Sequence, residues 1–129
     1  MKLRIDGDSL RLRLSRSDVQ RFRETGIRTE SIRFGSGSEL TYVLETSSQL
    51  TRIEVQYGHD CIRVLLPLNI AQEWASSDQV SLSRDRAEGS GPALLIEKDF
   101  QCLHGDRTNP SDDADAFPNP AAGSQSRTR

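Results

Sequence analysis

Two pairs of histidine and cysteine offer the clearest metal-ligand chemistry in this sequence. His59 and Cys61 flank one residue in "HDC", and Cys102 and His104 flank one residue in "CLH". Alternate residues of a strand share a face, so the two pairs would complete a tetrahedral zinc site if the strand ends met. In structural zinc sites the paired ligands are usually separated by more than one residue. Two surface histidines and two buried thiols would account for the same residues without a metal. Zinc binding is therefore kept as an alternative, and no cofactor is predicted.

Two glutamates are the best candidates for acid and base chemistry. Glu45 and Glu97 occupy matching positions near the ends of two predicted strands. Acid–base work needs carboxyl groups with separated pKa values and a pocket between them. Both glutamates fall in the outward phase of their strands, which favours solvated side chains. The serines lack a G-x-S-x-G context, and "GSGS" and "GSG" lack the lysine and helix of a phosphate loop. We predict no catalytic residue and no enzymatic activity.

Arginines are concentrated in the first part of the chain. Residues 1–34 hold nine Lys/Arg against five Asp/Glu, for a charge of +4, and residues 35–129 hold eight against fourteen, for −6. Arginine contacts to phosphate are a main source of nucleic-acid affinity, and solvated arginines on edge strands and helices are the competing explanation. The candidate nucleic-acid-binding residues are Arg4, Arg11, Arg13, Arg16, Arg21 and Arg23.

The elements that must position these side chains follow one pattern twice. A shift of 52 positions places Leu10, Leu12 and Leu14 on Ile62, Val64 and Leu66. The same shift places Phe22 on Trp74, and both aromatic side chains are expected to anchor helices in the core. Each half reads as a hairpin, a helix and two further strands, with hairpin turns at Gly7-Asp8 and at residues 58–60. The sequence therefore predicts an internal duplication.

Capping residues mark the ends of the two predicted helices. Ser15 and Asp18 have the spacing of a capped helix start, and Gly26 suits the left-handed residue that ends a helix. Pro67 is expected to serve the first turn of the second helix. Asp78 is expected to take the place that Gly26 has in the first half, although aspartate tolerates the left-handed conformation less well.

The predicted architecture is α+β and mostly β. Two ββαββ units with pseudo-twofold symmetry, about 1–50 and 51–104, would pool their apolar faces in a closed or nearly closed barrel of about eight strands within one domain, 1–104. Residues 105–129 contain three prolines and clustered aspartates with few apolar residues. Such a composition predicts a flexible acidic tail.

Two resemblances accompany this interpretation. "IRVLLPLNIAQEWASSDQVSLS" resembles the strand, proline, helix and strand of bacterial swapped-hairpin regulators and related cradle-loop barrels, with Asp78 where that family prefers glycine. "EWASSDQV", "LLIEKDFQCL" and "DADAFPNP", after "LRLRLSRSDV", resemble a family of small bacterial proteins of unknown function. The second resemblance implies no catalytic residues. It implies that the "EKDF" strand end and the "FPNP" segment belong to one module.

A protein-binding function is the main expectation. Without a signal-peptide core or an apolar run long enough for a membrane span, and with two cysteines that fit reduced thiols, the chain is expected to be cytoplasmic. We expect a non-catalytic interaction or regulatory module that binds a protein partner. A DNA-binding regulator is the first alternative, and a small zinc-binding protein is the second. The expected partner-binding residues are Phe117, Pro118, Asn119 and Pro120.

Overall fold

The computed structural model describes residues 1–86 and 91–99, which contain eight strands and two helices. The strands are β1 (Lys2–Asp6), β2 (Ser9–Leu14), β3 (Ile27–Gly35), β4 (Ser38–Ser47), β5 (Glu54–Gly58), β6 (Cys61–Pro67), β7 (Ser81–Arg84) and β8 (Ala93–Lys98). The helices are α1 (Arg16–Thr25) and α2 (Leu68–Ser76). The mostly β, α+β fold expected from the alternation of apolar residues is thus confirmed. The predicted tail, 105–129, lies outside the described residues.

The strands form two four-stranded sheets. Sheet A has the order β1-β2-β8-β7, and sheet B has the order β3-β4-β6-β5. The central pairs, β2 with β8 and β4 with β6, are parallel, and the outer pairs are antiparallel hairpins. Each sheet therefore combines one hairpin from the first half of the chain with one hairpin from the second half.

The two sheets are separate within residues 1–86 and 91–99. No hydrogen-bonded ladder between described strands joins sheet A to sheet B, so the closed barrel that was expected is not formed there. Each parallel pairing completes a sheet of four strands, in which β1, β7, β3 and β5 are edges. The order β-β-α-β-β nevertheless occurs twice, and the pairing of β2 with β8 corresponds to that of β6 with β4.

Helix α1 begins and ends at the residues expected to cap it. Ser15 is the N-cap, and its hydroxyl accepts a hydrogen bond from the Asp18 amide at 3.2 Å. The Asp18 carboxylate in turn accepts one from the Ser15 amide at 3.0 Å, which completes a capping box. Gly26 ends the helix in the left-handed conformation with φ 79°, and its amide donates to the Phe22 carbonyl.

Helix α2 ends differently, and the prediction for Asp78 was wrong. Pro67 precedes the helix as its N-cap with φ −57°, and Ser77 follows the helix with an extended backbone. Asp78 is not among the residues with positive φ. At this end a side chain satisfies a backbone carbonyl instead: the Lys98 ammonium donates a hydrogen bond to the Ser77 carbonyl at 2.7 Å. A glycine is therefore not required there.

The core lies between the two sheets and the helices. Phe22 and Trp74, expected to be core anchors, are buried and meet edge to face with ring centroids 6.3 Å apart. The indole N–H of Trp74 donates to the Val80 carbonyl at 3.2 Å, so its polar atom is satisfied. The inner-facing leucine, valine and isoleucine residues of the four central strands complete the core: Leu10, Leu12, Leu14, Leu44, Val64, Leu66, Leu94 and Ile96. No helix within the described ranges is long and apolar enough to cross a membrane.

Candidate functional site

An apolar strip extends the inner face of sheet B beyond the core. It consists of Ile32, Phe34, Leu40, Tyr57 and Ile62. Cross-strand pairing places Ile32 opposite Leu40 and Tyr57 opposite Ile62, and the alternation along each strand gives them the inward phase of the core residues. Phe34 follows Ile32 by two residues and lies in the register shift between Arg33 and Gly35 at the hairpin tip, where it has no cross-strand partner.

The apolar strip is largely exposed, and it lies on the sheet with the longer strands. Strands β3 and β4 have nine and ten residues, whereas β7 and β8 have four and six. The relative exposure is 49% for Ile32, 64% for Phe34 and 70% for Tyr57. Leu40 and Ile62 are half-buried. Neighbouring exposed aliphatic and aromatic side chains on one sheet face are typical of an interaction surface.

A basic depression lies on the outer face of sheet A, the face that points away from the core. Four cationic side chains line it together with Leu3, and its volume is about 230 Å³. The four are Lys2, Arg4, Arg11 and Arg13. Lys2 is directly opposite Arg13, and Arg4 is directly opposite Arg11, across the β1–β2 hairpin. Like charges in directly opposite positions destabilise a hairpin, so this arrangement has a cost that a bound anion would offset.

Two carboxylates partly neutralise the basic depression. Glu97 Oε2 lies 3.1 Å from Arg11 Nε and 3.2 Å from Arg13 Nε. Asp99 Oδ2 lies 3.7 Å from Lys2 Nζ. Arg4 makes no ion pair within residues 1–86 and 91–99. Four cations therefore face two anions.

The six arginines predicted to bind nucleic acid are divided between two elements. Arg4, Arg11 and Arg13 lie on sheet A and line the basic depression. Arg16, Arg21 and Arg23 are exposed on α1 and are not among the residues that line it; Arg23 instead donates to the Ala75 carbonyl. Sequence reasoning omitted Lys2, although its alternation with Arg4 on β1 is the signal that places both on one face.

The two predicted acid–base candidates form matching ion pairs in different sheets. Glu97 on β8 pairs with Arg11 on β2, and Glu45 on β4 pairs with Arg63 on β6. The shift of 52 positions relates Arg11 to Arg63 and Glu45 to Glu97. Each pair links a strand of one half of the chain to its parallel neighbour from the other half. The geometry indicates that these glutamates neutralise arginines across the central strand pairs.

The predicted zinc ligands are only partly described. His59 and Asp60 form the turn between β5 and β6, with φ values of 52° and 59°, and Cys61 begins β6. The zinc hypothesis required His59 and Cys61 to share one face of a strand. His59 lies in the turn instead, so the two residues do not share a face. Cys102 and His104 lie outside the described residues, as does the segment Phe117, Pro118, Asn119 and Pro120. In the described part of the chain, no three His, Cys, Asp or Glu side chains cluster in a way that could hold a metal ion.

A partly buried charge network around Asp18 is the feature that sequence reasoning missed most clearly. Asp18 Oδ2 lies 2.7 Å from the Met1 ammonium, and Asp18 Oδ1 lies 2.7 Å from Arg28 Nη2. Glu30 Oε2 contacts the same two cations, at 3.2 and 3.0 Å. The Tyr42 hydroxyl donates to the Met1 carbonyl at 3.3 Å. The network thus connects the start of β1 to α1 and to strands β3 and β4.

The electrostatics of this network favour a structural role. Burial alone would raise the pKa of Asp18, but hydrogen bonds from the Met1 ammonium, the Ser15 amide and Arg28 hold it well below its usual range. Burial raises the pKa of the Tyr42 hydroxyl, and the nearby charges of Glu30 and Asp18 add to that rise. Two cations face two anions, so the network is matched in charge. An ionised aspartate and a neutral tyrosine held in this way do not form an acid–base pair for chemistry near neutral pH.

Together, the fold and its surfaces define a small α+β domain with two four-stranded sheets, an exposed apolar strip and a basic depression. The chain belongs to the family of unknown function DUF7009, whose sequence model matches residues 1–121. The expected membership of a family of unknown function is thereby confirmed. No curated protein and no solved structure matches the sequence.

Proposed function

We propose that this protein is a non-catalytic interaction module that binds a protein partner through the apolar strip. The observation that carries the proposal is the exposure of Tyr57 on the inward-phase face of sheet B and of Phe34 at the hairpin tip of the same sheet, near the half-buried Leu40 and Ile62. Full burial of one such side chain contributes about 1.5–3 kcal/mol. The partner surface that fits is a protein segment with aliphatic and aromatic side chains.

The shape and chemistry of the apolar strip support a protein ligand over a small molecule. The strip lies on an open sheet face, whereas small-molecule sites are concave cavities of about 300–1,000 Å³ that enclose the ligand. Exposed aromatic side chains near the centre of an interface commonly carry much of the binding energy. The strip reaches both edge strands of sheet B, β3 and β5, whose free edges can add main-chain contacts to a bound segment.

Site-specific photo-crosslinking in the cells that naturally produce the protein tests this proposal. A photoreactive phenylalanine analogue at position 34 is expected to give a discrete adduct with one protein. The same analogue at Thr29, which is exposed on the outer face of the same strand, is the matched control. A third label, at Phe117, tests whether the predicted Phe117–Pro120 segment contacts the same protein.

Reconstitution with the purified partner then decides the outcome. Phe34→Ser is expected to weaken binding about tenfold or more, while Thr29→Ser leaves it unchanged. Equal adducts from positions 34 and 29, or wild-type affinity of Phe34→Ser, would contradict the proposal. An adduct between two copies of this chain would show that the strip binds a second copy of the same protein, which would contradict the proposal of a separate partner.

Nucleic-acid binding is a second candidate, supported by the paired like charges of the basic depression. Phosphate groups are the anions that such an arrangement would bind, and each contact lowers the slope of log K against log salt by about 0.9 for duplex DNA. Arg4→Gln is expected to reduce both affinity and slope, whereas Arg21→Gln on α1 should change neither. Identical effects of the two substitutions, or no binding of duplex DNA at physiological salt, would remove this candidate.

A further inference from the structure

We propose that the acidic run Asp112, Asp113 and Asp115 of this same chain docks on the basic depression of sheet A. The docked run would mask this face from other polyanions until one of them displaces it. The inference does not depend on the apolar strip, which lies on the other sheet. It bears on the second candidate function, because the acidic run and a phosphate backbone would compete for the same cations.

The positive charge of the basic depression exceeds the negative charge of the two carboxylates beside it. Arg11 and Arg13 share one oxygen of Glu97, so two guanidinium groups divide a single negative charge. Lys2 is 77% exposed and reaches Asp99 only at 3.7 Å. Arg4 adds a fourth cation directly opposite Arg11. A ligand with several carboxylates would relieve the repulsion between these opposed charges.

The chain leaves the described structure at the rim of this depression. The Asp99 amide donates to the Leu14 carbonyl at 2.8 Å, and its carboxylate is the one that faces Lys2. Residues 100–111 separate Asp99 from Asp112, a tether of 12 residues. A flexible segment of that length has a root-mean-square span of about 20 Å and a maximum reach of about 40 Å. The acidic run therefore starts within reach of all four cations.

The composition of the run suits this surface. Three carboxylates occur within four residues in "DDAD", against four cations on the sheet. The run lies within residues 1–121, the range that the family model matches. Individual exposed ion pairs are weak, but a short tether gives an effective concentration of about millimolar. Several weak pairs then suffice for intramolecular docking.

Zero-length carbodiimide crosslinking of the full chain tests the docking. The sequence contains two lysines, Lys2 and Lys98, so few products form. Lys2 is exposed at the depression, whereas the Lys98 ammonium is bound to the Ser77 carbonyl and lies over the Trp74 ring. Mass spectrometry is expected to find Lys2 joined to residues 112–115. The Lys2–Asp99 product, from neighbours in the fold, is the internal reference for the reactivity of Lys2.

Two perturbations separate docking from random encounters. The yield relative to Lys2–Asp99 should fall about threefold to fivefold in Arg4→Gln, the effect of losing one exposed ion pair, and should stay unchanged in the matched control Arg21→Gln. It should also fall when salt is raised from about 0.1 M to about 1 M, because the screening length shortens from about 10 Å to about 3 Å. A mixture of isotopically light and heavy chains shows whether the bond forms within one chain.

Three results would overturn the proposal. Equal yields from Lys98 and Lys2 would mean that the acidic run has no preferred site. A yield insensitive to both Arg4→Gln and salt would remove the electrostatic basis. Mixed-isotope products would transfer the contact to a second copy. Because Phe34→Ser leaves the basic depression intact, failure here and failure of the partner-binding proposal are separate outcomes.

Discussion

Replacement of Asp18 by asparagine is expected to destabilise the fold by about 2–4 kcal/mol at neutral pH. The carboxylate accepts hydrogen bonds from the Ser15 amide, the Met1 ammonium and Arg28, and its side chain is only 10% exposed. Asparagine keeps one acceptor oxygen but loses the charge, and its amide group faces these donors. Glu30 remains beside both cations, which keeps the effect below that of a fully isolated buried charge.

The pH dependence of this difference identifies its cause. The folded pKa of Asp18 is depressed, so its stabilisation is complete above the unfolded value of about 3.9 and is lost as pH falls toward the folded value. The gap in unfolding free energy between wild type and Asp18→Asn should be constant from about pH 7 to pH 5 and narrow by about 1 kcal/mol by pH 3.

Urea unfolding at each pH measures this gap, with Glu24→Gln as a control on the exposed face of the same helix. The control should change stability by less than about 0.5 kcal/mol. A gap smaller than about 1 kcal/mol at neutral pH, or one that persists unchanged at pH 3, would refute the assignment of Asp18 as an ionised anchor.

Two further predictions concern a helix end and an ion pair. Gly26 and Gly7 both have positive φ, but an added Cβ would lie 3.0 Å from the Thr46 hydroxyl oxygen at Gly26 and would have no atom within 4 Å at Gly7. Gly26→Ala should therefore cost about 1–2 kcal/mol more than Gly7→Ala in thermal unfolding, and equal costs would contradict the close approach. Arg63 and Glu45, which are each at least one third exposed, should show a coupling of about 0–1 kcal/mol in a double-mutant cycle, and a value above about 2 kcal/mol would contradict their solvated geometry.

Local features of this fold could be predicted from the sequence because their causes are local. Ser15 and Asp18 are three residues apart, and the capping box needs only that spacing and a following helix. Gly26 is the residue that a left-handed helix end favours. The buried positions of Phe22 and Trp74 follow from helical spacing of apolar residues, a pattern that needs no knowledge of the neighbouring element.

The arrangement of the strands could not be predicted in the same way. Alternation identifies the face on which a side chain lies, but it does not identify the strand next to it. The expected barrel and the observed pair of sheets would bury the same leucines. The apolar pattern therefore does not distinguish between these two architectures. Contacts of Asp18 with Met1 and Arg28 depend on this arrangement, because α1 must lie beside the start of β1 and beside β3.

The surfaces were predicted in part. Arg4, Arg11 and Arg13 of the first hairpin could be predicted from the sequence, but their alignment with one another and with Lys2 depends on the register of that hairpin. Ile32 and Phe34 alternate like core residues, so periodicity alone assigns them to the interior. Both side chains are exposed in the structure, on a strand of nine residues whose counterpart β7 has four. The boundaries of strands are poorly determined by sequence pattern.

The parallel pairing of β2 with β8 has a consequence for the order in which the protein folds during synthesis. Leu10 pairs with Leu94, 84 positions away, whereas Leu44 pairs with Val64, 20 positions away. Closing the longer loop costs about 1 kcal/mol more in chain entropy, so sheet B is expected to form first. Until β8 has left the ribosome, the leucines of the first hairpin lack their partner strand. During this part of synthesis the nascent chain is expected to be most prone to aggregation and to chaperone binding.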